Sequence, residues 1–176
     1  MKESPNANRL TIVLLFIYVF TLIWIIVFKM GMGWSYMNGP RNYNLIPYHE
    51  PLIVNGKPDI TEVVLNVLIF IPFGVYLGTL YKMGSFLRKP VLVLGLSFIL
   101  EITQFALAIG TFDITDLINN TLGGLLGIWL YDLLKKWLAS EAKAQKVVNS
   151  LFLTGTLLLL GTLLYLKINH LLMFRN

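Results

Sequence analysis

The chain is expected to be all-α: a polytopic membrane helix bundle of about five transmembrane helices, folded as a single domain over residues 1–176. Three observations lead there. Five stretches, residues 10–28, 63–81, 91–109, 117–134 and 147–166, are apolar and close to the length of about 20 residues that crosses a hydrocarbon core. Hydrophobic residues make up 56% of the chain and charged residues only 13%, whereas soluble domains are about a quarter charged. The bases gather in connections beside the apolar stretches, so the net charge of +5 reads as a topology signal and gives no reason to expect nucleic acid as a partner.

The first stretch follows Lys2 and Arg9, as the apolar core of a signal peptide does. It has nearly the length of a full span, however, and Lys29, Met30, Gly31 and Met32 offer no small-residue cleavage site, so it is read as a retained anchor. The connection from residue 29 to 62 holds eight glycines and prolines, among them Gly31, Gly33, Gly39 and Pro40, which argue against a long helix. Trp34, Tyr36, Tyr43 and Tyr48 suit the headgroup level, where the segment serves as a surface loop or as a wall over a site between helices. In the second stretch Pro72 removes one backbone hydrogen bond and should kink the helix. Gly74 and Gly78 there, and Gly123 and Gly127 in the fourth stretch, form G-x-x-x-G pairs that let helix backbones approach. Packing within the chain is preferred over dimerisation as their purpose.

Orientation follows from the bases. With the N-terminus inside, the inner side holds nine of them (Lys2, Arg9, Lys82, Arg88, Lys89, Lys135, Lys136, Lys143 and Lys146) and the outer side five (Lys29, Arg41, Lys57, Lys167 and Arg175). The connection from 110 to 116 carries none. The expected topology is N-terminus cytoplasmic and C-terminus extracytoplasmic, with the acidic turn facing outward. There is no cysteine and the two histidines, His49 and His170, are far apart, which argues against thiol chemistry and a His-rich metal site.

Glu101 and Gln104 lie inside the third apolar stretch, three residues apart and so on one helix face. A carboxylate at such depth costs about 2.5–3.5 kcal/mol on insertion scales, which makes it a functional hypothesis. At 1.5 Å per residue Gln104 lies roughly 8 Å, Glu101 roughly 12 Å and Asn66 roughly 6 Å below the outer ends of their helices. Asp116 and Asn120 open the fourth helix on one face. Together they predict an outward polar pocket. Asp113 is also placed to cap the fourth helix, and Asn66 and Asn120 to act as interhelical hydrogen-bond glue; Asn119 points off the Asp116–Asn120 line and is read as structural. Glu101 needs a proton or a partner, and no Lys or Arg occupies the outer half of a helix.

Four phrases in order then resemble the VanZ family of bacterial membrane proteins: Asn44, Leu45, Ile46, Pro47; the run from Asn66 to Gly74 through Pro72; Ser97, Glu101 and Gln104 as S-x-x-x-E-x-x-Q; and Asp113, Asp116, Asn120, Gly123, Gly124 and Gly127. The resemblance covers roughly residues 40 to 131. Many members carry a base just before the first aspartate, where this chain has Gly110 and Thr111. The resemblance implies a multi-pass protein of the bacterial cytoplasmic membrane, in a family named for tolerance to teicoplanin, a lipid-tailed glycopeptide.

Three functions follow as alternatives. The first is a resistance factor that binds the lipoglycopeptide or a lipid-linked cell-wall precursor through Asn66, Glu101, Gln104, Asp113, Asp116 and Asn120. The second is an intramembrane enzyme in which Glu101 and Asp116 divide acid and base roles, or together hold a divalent cation such as Mg²⁺. The third, a small transporter, is disfavoured because the inner halves of the spans read as apolar apart from Asp132.

Overall fold

The computed structural model describes residues 5–28, 42–48, 53–54, 57–58, 60–81 and 87–168. Five helices carry the fold: α1 (Pro5–Phe28), α2 (Thr61–Leu80), α3 (Arg88–Ala106), α4 (Ile114–Leu138) and α5 (Glu141–Ile168). Each overlaps an expected span and starts two to six residues before its apolar stretch, because helix geometry continues into the interface where side chains are polar. At its other end α3 stops at Ala106, three residues short of its expected end, where the chain turns through Ala108 at φ 53°. Among the described residues, α1, α2, α3 and α5 are long and apolar enough to cross a membrane. The protein is an all-α membrane bundle.

The fourth helix has 25 residues but a mixed composition. The difference has a physical reason: α4 is the centre of the bundle. One face buries Asn119, Asn120, Gly123, Gly124, Gly127 and Tyr131 against protein, while Leu122, Leu126, Trp129 and Leu133 stay exposed on the other. A helix half-covered by protein needs an apolar surface only where it meets lipid.

The tightest seam joins α2 to α4, which are not neighbours in sequence. A Cβ on Gly74 would run into the Gly124 main chain, and one on Gly127 would strike the Ile71 carbonyl. Both G-x-x-x-G pairs are consumed inside the chain, Gly78 by lying against the Tyr131 ring. The helix of Pro72 is continuous from Thr61 to Leu80. Phe70, Phe73, Leu77, Val93, Leu100 and Leu22 fill the core beside this seam. Tyr18 of α1 donates a hydrogen bond to the Ile69 carbonyl, and the Tyr76 ring stacks on Phe152 of α5 at 4.5 Å.

Four short strands punctuate the connections: β1 (Tyr43–Asn44), β2 (Ile53–Val54), β3 (Lys57–Pro58) and β4 (Phe112–Asp113). β2 and β3 pair antiparallel with each other, and β1 pairs parallel with β4, Asn44 opposite Asp113. Trp34 and Tyr36, expected at the interface, lie outside the described residues, as do Lys2, Lys29, Arg41, Lys82, Arg175 and both histidines.

One expectation is corrected. The end of the bundle opposite Asp113 is not apolar inside: Asn8 and Thr11 of α1 meet Gln145 and Asn149 of α5. Gln145 Nε2 donates to Asn8 Oδ1 at 2.7 Å and to Thr11 Oγ1 at 3.1 Å, and Asn149 Nδ2 donates to the Ala7 carbonyl at 3.0 Å. Thr11, Gln145 and Asn149 are buried. Asn8 and Gln145 lie just outside the apolar stretches, so hydropathy alone left them in the connections.

Candidate functional site

The site begins with how α3 stops. Its last turn closes in a Schellman arrangement, with Ala108 at φ 53° and the Ile109 N–H donating to the Gln104 carbonyl at 3.1 Å. The reversal folds Gly110 back over Gln104, where a Cβ would stand 3.3 Å from the Gln104 side chain. From there the chain extends into β4, and the Phe112 N–H donates to the Asn42 carbonyl at 3.1 Å. Phe112 is edge-on to Phe98 of α3, which ties the strand to the helix.

Asp113 is the pivot. Its backbone is extended, it caps α4, and its Oδ1 accepts from the Thr115 N–H at 2.7 Å. Its Oδ2 accepts from Asn44 Nδ2 at 3.2 Å, and its own N–H donates to Glu101 Oε2 at 3.2 Å. One residue thus binds the β1 segment, starts α4 and gives the buried Glu101 a donor. Three residues on, Asp116 Oδ1 accepts from Asn66 Nδ2 of α2 at 2.6 Å. Charge-assisted bonds of this length are the stronger class. One turn deeper, Asn120 Nδ2 donates to Ser97 Oγ of α3 at 3.0 Å.

These bonds arrange the residues in two layers. Asn66, Asp113 and Asp116 form a half-buried rim, while Glu101, Gln104, Ser97 and Asn120 lie buried beneath it. The six residues singled out in the sequence all belong to this end of the bundle. Asn66 with Asp116, and Glu101 with Asp113, are joined directly; Gln104 lies under Gly110 and Asn120 is held by Ser97. Asp113 is both the cap of α4 and a member of the cluster.

Sequence reasoning undervalued four residues. Asn44 and Ser97 stood only as letters of the family phrases. Tyr48, an interfacial aromatic by its sequence context, has a hydroxyl that donates to Asn119 Oδ1 at 2.9 Å and an N–H that donates to Thr115 Oγ1 at 3.1 Å. Asn119 lies off the line of Asp116 and Asn120 and meets Tyr48 instead. The signal for it was the pairing of a polar residue inside a span with an aromatic hydroxyl in the preceding connection.

Among the described residues, two buried amide atoms, Asn119 Nδ2 and Asn120 Oδ1, have no hydrogen-bond partner. Leaving such a group unmet costs about 1–3 kcal/mol. Among the described residues no group of three or more His, Cys, Asp or Glu gathers around a metal position. A divalent cation on Glu101 and Asp116 would need neutral oxygens or water to complete its shell. Beside the cluster runs a shallow apolar groove of about 330 Å³, lined by Leu94 of α3 and Ile114, Leu117, Ile118, Thr121 and Leu122 of α4.

A helical membrane bundle with a hydrogen-bonded carboxylate and amide cluster at one end is the class of protein that this fold and site define. The family model described as VanZ/LLP1 matches residues 15–135, from within α1 to near the end of α4, and the chain belongs to the VanZ family. It is similar to Protein VanZ of Enterococcus faecium, at 41% identity over 162 residues that cover 89% of this chain and 94% of that protein. The likeness therefore reaches beyond residues 40–131 to the outer helices. No solved structure matches the chain.

Proposed function

We propose that the chain is a resistance factor of the bacterial cytoplasmic membrane. Its polar end recognises a teicoplanin-type lipoglycopeptide, or the lipid-linked wall precursor that such an antibiotic meets, and so confers tolerance. In this reading the end built around Asp113 faces outward, with the N-terminus inside and the C-terminus outside, as the distribution of bases favours. The observation that carries the proposal is the combination of a layered polar cluster, with buried amide atoms left open, and an apolar groove on α3 and α4 beside it. A molecule with a polar head and a lipid tail meets both at once, and family membership supports the connection to glycopeptides.

The test is tolerance in a teicoplanin-sensitive host. Glu101→Gln and Asp116→Asn keep size and an acceptor oxygen for the Asp113 N–H and Asn66 Nδ2, so they remove charge with little change in packing. Each is expected to abolish the tolerance that the wild-type chain confers while membrane abundance is unchanged. Full tolerance in both variants would rule out a role for ionisation at this pair.

An intramembrane enzyme acting on a lipid-linked substrate is the second reading, favoured by one observation. Glu101 is buried and held by a main-chain N–H, while Asp116 is half-buried and held by an amide. Two carboxylates in unlike surroundings can divide acid and base roles. Turnover of a lipid-linked substrate by the purified chain, lost in both variants, would select this reading over binding alone.

A further inference from the structure

The corner where α4 passes into α5 lies at the opposite end of the bundle from Asp113, and nothing in the function above uses it. A groove of about 620 Å³ opens there between Leu138 of α4 and the face of α5 formed by Lys143, Lys146, Val147, Ser150, Leu151 and Thr154. The residues on α5 recur at three and four positions, so they share one side of the helix. The charged ones stand together at one end. Lys143 and Lys146 stand at the head of the groove, Val147 and Leu151 form its wall, and Thr154 lies roughly 16 Å along the axis from Lys143 at 1.5 Å per residue.

Charge at this corner is unbalanced in a particular way. Lys135 is taken up by Asp132 at 3.4 Å and Glu141 at 3.7 Å. Lys143 and Lys146 make no ion pair among the described residues. Within residues 132–146 alone, four lysines, counting Lys136, stand against the two carboxylates Asp132 and Glu141, which leaves a charge of +2 on this corner. Trp137, 82% exposed, projects beside them as interfacial aromatics do at headgroup depth.

We propose that this groove is a binding site for an anionic glycerophospholipid. Lys143 and Lys146 hold the phosphate, the Ser150 hydroxyl is a donor at its inner edge, and one acyl chain lies along Val147 and Leu151 against Leu138. Basic pockets between transmembrane helices take acidic headgroups on this physical basis. A topology signal alone needs lysines in the connection; it does not need two uncommitted lysines on one face at the mouth of an apolar groove. The site is independent of the polar cluster around Asp113, and tolerance to glycopeptides plays no part in its test.

Native mass spectrometry of the full chain in detergent, titrated with dioleoyl-phosphatidylglycerol and with dioleoyl-phosphatidylcholine, reads it directly. The wild-type chain is expected to retain phosphatidylglycerol in preference to phosphatidylcholine. Lys143→Gln with Lys146→Gln should weaken phosphatidylglycerol roughly 30-fold, the combined worth of two lysines near a charged lipid surface. Arginine at both positions should keep the lipid. Ser150→Trp, which fills the groove and leaves the charge alone, should lose it. Lys136→Gln removes a base at the same end outside the groove and should change retention less than about fivefold. Equal retention of the two lipids would overturn the site, and so would full retention in Ser150→Trp or an effect of Lys136→Gln as large as that of the double variant. Displacement by millimolar inorganic phosphate would show a small-anion site and defeat the lipid assignment.

Discussion

Gly123 is the position where packing and site geometry meet. A Cβ there would stand 3.0 Å from the Cα of Val67 and closer still to the Val67 carbonyl oxygen. Val67 adjoins Asn66, whose amide reaches Asp116 at 2.6 Å. Ordinary carbon contact begins near 3.5 Å, so Gly123→Ala must separate α2 from α4 by about 1 Å or bend one of them locally. Adding about 1 Å to the Asn66–Asp116 distance takes it past the hydrogen-bond range, which ends near 3.2 Å for N–H···O. Overpacking of this kind costs about 1–3 kcal/mol, a fall in melting temperature of roughly 4–8 °C at the middle of that range for a chain of this size. The assay is thermal unfolding of the purified full chain, with Gly155→Ala as control, because a Cβ at Gly155 meets nothing within 4 Å. Gly123→Ala should also lower tolerance more than its abundance explains, because it moves a rim residue of the site. If Gly123→Ala melts with the control and keeps full tolerance, the seam is not what sets the site.

The amide cluster at the other end predicts that Thr11→Val lowers stability by about 1–3 kcal/mol, because it strips the buried Gln145 and Asn149 side chains of a shared hydroxyl; unchanged thermal unfolding would show that the cluster contributes nothing. Topology is checked with two cysteines at exposed positions, Thr111→Cys beside the polar site and Ala139→Cys at the opposite end. An impermeant thiol reagent added to intact cells should label the first and reach the second only after lysis, and the reverse pattern would invert the orientation.

Much of the site was legible because membrane helices make polar residues conspicuous. Glu101 and Gln104 stand out in a span where burial of a charge is costly, and the 3.6-residue repeat places them with Asp116 and Asn120 by depth alone. Asp113 was readable as a cap from its place before a helix. Asn44, Tyr48 and Asn119 were not, because their roles depend on the 42–48 segment folding back onto the start of α4, and no local pattern encodes where a connection of over thirty residues lands.

The sequence by itself determined the number of helices, their limits to within several residues, and the end of the bundle at which the carboxylates gather. These depend on hydropathy and helix rise, which are local. Only the tertiary structure decided that α2 pairs with α4 through glycine, that Asp113 joins three segments at once, and that α1 and α5 are clasped by amides at the far end. Lipid surrounds every helix with the same apolar solvent, so hydropathy does not rank one helix partner above another. The choice falls to shape and to hydrogen bonds between side chains far apart in the chain, and these exist only once the helices are side by side.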